Sequence, residues 1–327
     1  MTSREKATTL ALQYTTVILF VAVFLFFGLP SPRFLEAQSI SNIIKQAAFT
    51  GIVAVGMTFV LLTASIDLSV GSNMYLSSLI AGLLMRHAGF DVLPALVAAL
   101  VVGMLYGAVN AFFIVRLNII PFIVTLATLV AGRGIGTALT ESVSLDYPAG
   151  MLAFGGSQLF GVIPMPIAMF VVIVMIAHLI LTRTPFGRQV YAVGNDMEAA
   201  KKAGINTGRI IAAVYIISGL CAALGGFILI AQIGRLDQPF AEGKEFDAIA
   251  AAVLGGTSLF GGVGNAFGAV IGSVLIQMVQ AGLVFTGVNL YLQPMIQAAI
   301  IFLAVFFDSL RDIRLTRLKR RYIRSEA

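Results

Sequence analysis

Long apolar runs recur along the whole chain, and short polar segments separate them. A helix needs about 20 apolar residues to cross the bilayer core, and on that measure the pattern predicts ten membrane spans. The predicted spans are 11–29, 43–63, 70–85, 92–115, 119–140, 164–181, 210–232, 248–260, 265–285 and 291–307. The third and eighth are short, which is typical of broken or partly re-entrant helices. The expected fold class is all-α, a polytopic membrane protein with about ten transmembrane helices in a single domain, 1–327.

Composition supports this prediction and excludes a soluble protein. Hydrophobic residues make up 59% of the chain and charged residues only 11%, whereas soluble domains carry about 25% charge. The 33 glycines also fit, because small residues let membrane helices approach closely. Arg4 and Lys6 precede an apolar run that resembles a secretory signal, but no small-residue cleavage site follows before Pro30. We therefore expect an uncleaved first helix.

The basic residues predict the orientation. With ten helices and a cytoplasmic N-terminus, most of the 21 lysines and arginines fall on the inner side, as the positive-inside rule requires. Many of these residues lie in the loop 182–208 and in the tail 308–327. A basic tail can also bind nucleic acid, but directly after an apolar span it is typical of a cytoplasmic end. We expect a multi-pass protein of the bacterial inner membrane with both termini in the cytoplasm and no nucleic-acid partner.

A polar turn interrupts the apolar pattern between the second and third spans. Asp67 and Ser69 lie in it, and Asn73 follows at the start of span three. An ionisable group near membrane depth is costly and therefore marks a candidate gate or translocation path. The favoured alternative is a helix cap, because Asp67 can accept backbone N–H groups at the start of span three.

The inner loop contains a second candidate, a short capped helix in water. Asn195 is the predicted N-cap, Glu198 stands at capping-box spacing, a Glu198–Lys202 pair is expected, and Gly204 is a good C-cap. Such a helix between two spans is what a cytosolic motor could push on, although an ordinary interfacial helix would look the same. The residues assigned to coupling are Asn195, Asp196, Glu198, Ala199, Ala200, Gly204 and Ile205.

Polar residues inside other spans could line a path for a hydroxylated solute, or could equally hold helices together. Arg133 is the most conspicuous, as a charge within span five that could contact solute or pair with Glu141. The candidates are Asn110, Arg133, Thr137, Gln232, Gln277, Gln280 and Gln297. The glycine-rich stretch 247–264 fits no phosphate-binding pattern, and Gly264, Gly268 and Gly272 fall on one helix face, which suggests close packing.

No catalytic, cofactor or metal site is expected. Cys221 is the only cysteine, which excludes a disulfide framework within the chain. The sequence contains neither a nucleotide-binding lysine motif nor a set of intramembrane acids and lysines that would relay protons. A membrane-embedded enzyme is therefore disfavoured, and uphill transport would need energy from a partner.

The sequence resembles a known family, the ribose-type permeases of ATP-binding-cassette (ABC) importers. Three stretches carry the resemblance: Gly56-Met57 through Ile66-Asp67-Leu68-Ser69-Val70-Gly71-Ser72; Phe186-Gly187-Arg188 to Ile205; and Asp247-Ala248-Ile249-Ala250 to Gly262. The sequence departs from the family pattern where Ala64-Ser65 replace a Gly-Gly pair before the first stretch, and at Asp196, where glycine or asparagine is often found.

The resemblance implies an ABC permease fold that moves a monosaccharide or a similar small polar solute into the cell. It implies as partners cytosolic ABC ATPase subunits, a periplasmic solute-binding protein and a second permease chain in the lipid bilayer. A permease for branched-chain amino acids, nucleosides or autoinducer-2 is the alternative, and an ATP-independent carrier or channel is less favoured.

Overall fold

The structure, a computed structural model, describes residues 15–299 and the single positions 302 and 306. The α-helices are α1 (Thr15–Gly28), α2 (Ala37–Leu62), α3 (Val70–His87), α4 (Val92–Arg116), α5 (Pro121–Thr140), α6 (Ala149–Gly156), α7 (Met165–Arg183), α8 (Pro185–Asn195), α9 (Met197–Lys202), α10 (Thr207–Ile233), α11 (Lys244–Leu254) and α12 (Ala266–Phe285). A 3-10 helix, Pro32–Leu35, joins α1 to α2, and a last described helix, α13, occupies 293–299. Four two-residue strands pair antiparallel, β1 (Leu145–Asp146) with β4 (Arg235–Leu236) and β2 (Gln158–Leu159) with β3 (Ile163–Pro164).

The all-α, polytopic class is confirmed, whereas the number of spans stays a prediction. Six helices of the described part are long and apolar enough to cross a membrane: α2, α4, α5, α7, α10 and α12. Arg4, Lys6 and the basic tail 308–327 lie outside the described residues, so the predicted position of both termini also stays a prediction.

The predicted eighth span, 248–260, is wrong in its bounds. The helix α11 begins earlier, at Lys244, and ends at Leu254. The glycines that follow have positive φ angles, and a right-handed helix cannot continue through that conformation. They are Gly256, Gly261, Gly262 and Gly264. Eleven residues extend about 16 Å, which is half of a bilayer core.

The chain divides into two compact units, one of Met1–Ile43 with Leu275–Ala327 and the other of Ile44–Val274. In the first unit, Phe34 is fully buried and its ring lies edge-on to that of Phe285, 5.9 Å between centroids. Gly282 leaves room there for the ring of Phe27. The prediction of one domain is tested by nothing else in the structure and stays a prediction.

The second unit is built around α10, which packs against α4 and α3. Glycines set the distance between α4 and α10. A Cβ added at Gly219 would collide with the carbonyl oxygen of Gly103, and one added at Gly107 with that of Tyr215. The two backbones are therefore in direct contact, which is the packing that small residues permit in membranes.

The helices around this centre expose apolar faces. Only 22% of the most apolar stretch is buried in α4 and in α5, and 28% in α7, against 78% in α10. Large apolar side chains on these faces, such as Phe112, Phe122 and Val171, are more than half or about half exposed. Faces of this kind are stable in lipid, where hydrocarbon takes the place of a protein core.

The backbone contact between α4 and α10 generates the first prediction. Gly219→Leu should lower the free energy of unfolding in mixed micelles by about 3 kcal/mol, because the side chain overpacks a contact that no rotamer can relieve. Gly134→Leu is the matched control, since a Cβ at Gly134 meets nothing within 4 Å. Equal losses in the two variants would show that the α4–α10 contact is not tight.

Candidate functional site

The break between α2 and α3, residues 63–69, is organised by one buried carboxylate. Asp67 is 1% exposed. Its Oδ1 accepts hydrogen bonds from the backbone N–H and the hydroxyl of Ser69, at 3.0 and 2.5 Å. Its Oδ2 accepts one from the hydroxyl of Ser218 on α10, at 2.7 Å. The carboxylate thus shapes the turn and also ties it to the central helix.

The hydrogen bonds continue from Ser69 into two more helices. Asn110 of α4 donates to the Ser69 hydroxyl at 2.8 Å and accepts from Thr128 of α5 at 2.8 Å. The hydroxyls of Ser72 and Tyr106 lie 2.7 Å apart. We call Asp67, Ser69, Asn110, Thr128 and Ser218 the polar hub. It joins α3, α4, α5 and α10 through side chains that are buried or partly buried.

The structure gives Asp67 more than the predicted role of a helix cap. It accepts one backbone N–H at the start of α3, but Ser69 is the N-cap residue. The bond to Ser218 joins residues 151 positions apart, so local sequence gives no signal for it. Asn73 lies one turn beyond Ser69 and donates to the carbonyl oxygen of Gly219 at 3.1 Å. Its buried Oδ1 has no hydrogen-bond partner within the described part of the chain.

The inner loop holds two helices where one was predicted. The missed helix is α8, which starts directly after α7: Thr184 caps it by accepting the N–H of Gly187, and Pro185 stands at its first position. A threonine followed by proline is a recognised helix start, so the sequence carried this signal. The second helix, α9, is the predicted one.

The predicted capping of α9 needs two corrections. Asp196, not Asn195, is its N-cap, and the Asp196 carboxylate accepts the N–H groups of Glu198 and Ala199 at 3.0 and 2.9 Å. Asn195 is the last residue of α8. Glu198 pairs with Lys201, at 2.8 Å, rather than with Lys202.

The predicted end of α9 is confirmed. Gly204 has a positive φ of 84°, and Ile205 N–H donates to the carbonyl oxygen of Ala200 at 3.0 Å. Ala200 is 4% exposed and packs inward, whereas Asn195, Asp196, Glu198, Ala199 and Gly204 are exposed.

Helix α8 contacts both helix breaks of its unit. A Cβ at Gly194 would collide with the carbonyl oxygen of Leu62, the last residue of α2. The same carbonyl accepts the N–H of Gly262 at 3.0 Å, and the hydroxyl of Tyr191 donates to the carbonyl oxygen of Gly264 at 2.8 Å. We call these contacts of Leu62, Tyr191, Gly194, Gly262 and Gly264 the junction. It joins α8 to the segment after α2 and to the segment after α11.

A second polar region surrounds Arg133 on α5. Its Nη1 donates to the carbonyl oxygens of Phe240, at 2.6 Å, and Gln238, at 3.2 Å, and its guanidinium lies 5.1 Å from the centre of the Tyr75 ring. The suggested pairing of Arg133 with Glu141 is not found, because Glu141 directly follows α5 about two turns away. The loop 237–243 lies beside Arg133 instead. A cavity of about 450 Å³ opens here, lined by Leu129, Arg133, Thr137, Gln238, Pro239, Glu242 and Glu245.

The remaining polar candidates are scattered. Asn110 belongs to the polar hub, Thr137 lines the cavity, and Gln232 donates to the carbonyl of its own helix residue Ile228 at 3.4 Å. Gln277, Gln280 and Gln297 belong to the other compact unit. Sequence reasoning missed Glu245, whose only signal was a carboxylate just before the third motif stretch.

Comparisons with known proteins identify the class. The sequence profile of the family described as "Branched-chain amino acid transport system / permease component" matches residues 39–305. The chain therefore belongs to this family of transport permeases, which are membrane components of transport systems and not enzymes.

Several characterised relatives are similar over most of their length. The chain is 38% identical to the ribose import permease protein RbsC of Bacillus subtilis strain 168, covering 85% of this chain and 87% of that protein. It is 32% identical to the xylose transport system permease protein XylH of Escherichia coli strain K12, covering 90% and 91%. It is 34% identical to the D-allose transport system permease protein AlsC of the same strain, covering 91% and 92%. No solved structure matches the chain significantly.

The polar hub generates the second prediction. Asp67→Ala should lower the free energy of unfolding in mixed micelles by about 2–3 kcal/mol, since Ser69 and Ser218 lose their charged acceptor inside the protein. Asp67→Asn, which keeps one acceptor oxygen, should cost less. Asp146→Ala serves as control because the Asp146 side chain is 72% exposed. An equal loss of unfolding free energy in Asp146→Ala would contradict the special role of Asp67.

The junction generates the third prediction. Gly194→Ala should displace α8 from the end of α2, because the added methyl group meets a backbone oxygen that cannot move aside. We expect faster proteolysis within 182–208 than in the parent protein, measured by limited trypsin digestion in detergent. Gly150→Ala is the control, since a Cβ there meets nothing within 4 Å. Unchanged digestion of Gly194→Ala would contradict the close contact.

Proposed function

We propose that this chain is the permease subunit of an ATP-driven importer that carries a monosaccharide or a similar small polar solute into the cytoplasm. Family membership and the sugar permeases among its relatives support the transport class. The main support for the mechanism is the junction. Through it the helix pair α8–α9 of the inner loop contacts both the end of α2 and the segment after α11. A force applied to that pair reaches both breaks directly.

The exposed surface around α9, from the end of α8 to Gly204, is the proposed contact for a cytosolic ABC ATPase. Asn195, Asp196, Glu198, Ala199 and Gly204 offer a small surface of mixed polarity with a capped, preformed helix behind it. Buried residues fix this surface to the permease: Ala200 on α9, and Val190 and Val193 on α8, are at most 4% exposed. Ile205 closes the turn that ends α9.

The polar hub is the proposed gate element. Asp67, Ser69 and Asn110 hold the end of α3 against α10, and Asn73 adds a bond to the α10 backbone. When the junction pulls on Leu62, the hub is the fixed point on the other side of the break. Arg133 and Gln277 are the remaining residues proposed for the path.

The partners follow from this role. The chain hydrolyses no ATP itself, so one or two cytosolic ABC ATPase subunits supply the energy. A periplasmic solute-binding protein delivers the solute, and a second permease chain, identical or related, completes the path across the bacterial inner membrane. Both termini and the loop 182–208 lie on the cytoplasmic side in this arrangement.

A branched-chain amino-acid permease is the second candidate, because the family description names such systems. The relatives named for ribose, xylose and allose favour sugar.

Reconstitution tests the coupling, and this is the fourth prediction. In proteoliposomes that hold the permease, its ATPase and its binding protein, Glu198→Arg should reduce ATP-dependent sugar uptake about tenfold or more, since it reverses charge on the surface that receives the ATPase. Assembly with the ATPase is measured in parallel by co-purification. Asp146→Arg is the matched charge reversal outside the loop and should transport normally. Uptake without any ATPase subunit would contradict the importer proposal.

A further inference from the structure

The cavity at Arg133 lies well inside the length of a membrane-spanning helix. Arg133 is about 18 Å along α5 from Pro121 and about 10 Å from its end at Thr140. The opposite wall comes from the irregular loop 237–243 and from the start of the short helix α11. Irregular backbone at such depth is stable only where protein buries it or where it lines a water-filled cavity. The second condition fits a segment that lines a cavity of about 450 Å³.

Glu245 places a carboxylate in this wall. The residue is 6% exposed, and its Oε2 is buried without a hydrogen-bond partner among the described residues. A Cβ added at Gly71 would collide with the same oxygen, so the glycine of the first motif stretch makes room for the carboxylate. A ligand in the cavity would therefore approach the carboxylate from its other oxygen, and a hydroxyl group that donates to it would offset part of the cost of burying the group.

Arg133 supplies donors to the same space. Both of its hydrogen bonds to the loop 237–243 leave from Nη1, whereas a guanidinium carries five N–H groups. The Tyr75 ring and the two carbonyls hold the guanidinium in place. The amide of Gln238 and the hydroxyl of Thr137, which also line the cavity, can donate or accept.

The charges of the lining select a class of ligand. The lining contains two acidic side chains, Glu242 and Glu245, and one basic side chain, Arg133, so it offers no net positive charge to a phosphate or a carboxylate. A simple cation would leave the N–H groups of Arg133 unused and would be repelled by it. A hydroxyl group both donates and accepts, so a molecule with several hydroxyl groups can satisfy Glu245 and Arg133 together.

We propose that this cavity is a solute site for a neutral polyhydroxylated molecule, with Glu245 accepting from one hydroxyl and Arg133 donating to another. The inference deepens the proposed function, on which it rests, because it assigns the class of solute to residues of the permease itself. It adds Glu245 and Glu242, which the sequence did not single out, to the residues that determine specificity.

Cysteine labelling tests the site, and this is the fifth prediction. The chain has one cysteine, so Cys221→Ala gives a cysteine-free background into which Thr137→Cys places a thiol in the cavity. In the reconstituted complex, D-ribose, D-xylose or D-allose should slow its reaction with a membrane-impermeant methanethiosulfonate. Ribose 5-phosphate, choline and L-leucine should not. Gly134→Cys, an exposed position on the same helix with open space around it, is the control that sugars should leave unaffected.

Substitutions in the lining sharpen the test. Glu245→Ala should raise the sugar concentration that gives half-maximal protection about tenfold, as expected for the loss of one charge-assisted hydrogen bond. Arg133→Lys should have a similar effect, because an ammonium cannot reproduce the fixed fork of a guanidinium. Glu141→Ala, an exposed glutamate at the end of α5, should change nothing. Leu129→Trp offers a second readout by fluorescence, since the chain contains no tryptophan.

The outcomes separate this inference from the proposed function. Equal protection by choline or L-leucine, or ATP-dependent uptake with no protection by any sugar and no effect of Glu245→Ala, would overturn the solute site and leave the importer proposal standing. Uptake that needs no ATPase would overturn the importer proposal, even where sugars protect Thr137→Cys and so support the site.

Discussion

Backbone groups that are released where a helix breaks must find partners, because lipid offers none. This constraint governs the arrangement of the second unit. Asp67 meets it at one end of the break between α2 and α3, where its carboxylate binds the Ser69 N–H and the Ser218 hydroxyl. Gly262 meets it at the other end, where its N–H binds the carbonyl oxygen of Leu62. The break is therefore stable only while helices distant in sequence stay in place around it.

The two ends of the break connect it to different parts of the molecule. Through the polar hub it is attached to α4, α5 and α10, which form the centre of the unit. Through the junction it is attached to α8, and so to the exposed helix α9. The cavity at Arg133 shares α5 with the hub, and Gly71, which lies against Glu245 of the cavity lining, stands four residues after Asp67. The proposed gate and the junction thus both contact the break, and the proposed solute site lies against the helix that follows it.

Local signals let the sequence predict most helices and the end of α9, because apolar runs and a glycine after a helix act over a few residues. The sequence could not predict hydrogen-bond partners that lie far apart in the chain, such as Ser218 for Asp67 and Phe240 for Arg133.

The break between α2 and α3 also shows the cost of the departure from the family pattern at Ala64. Ala64 stands where the family resemblance leads one to expect glycine, and its φ is +55°. A side chain in that region costs about 1–2 kcal/mol, so the surrounding contacts must hold this turn.

The glycines between α4 and α10 have a mechanical consequence. Where side chains interlock, helices can slide by exchanging rotamers, but Gly103 and Gly219 bring backbone against backbone and have no rotamers to exchange. We therefore expect this pair of helices to stay rigid while the proposed importer works. The change of access would then fall to the segments that hydrogen bonds hold to the pair, namely the break after α2 and the loop before α11.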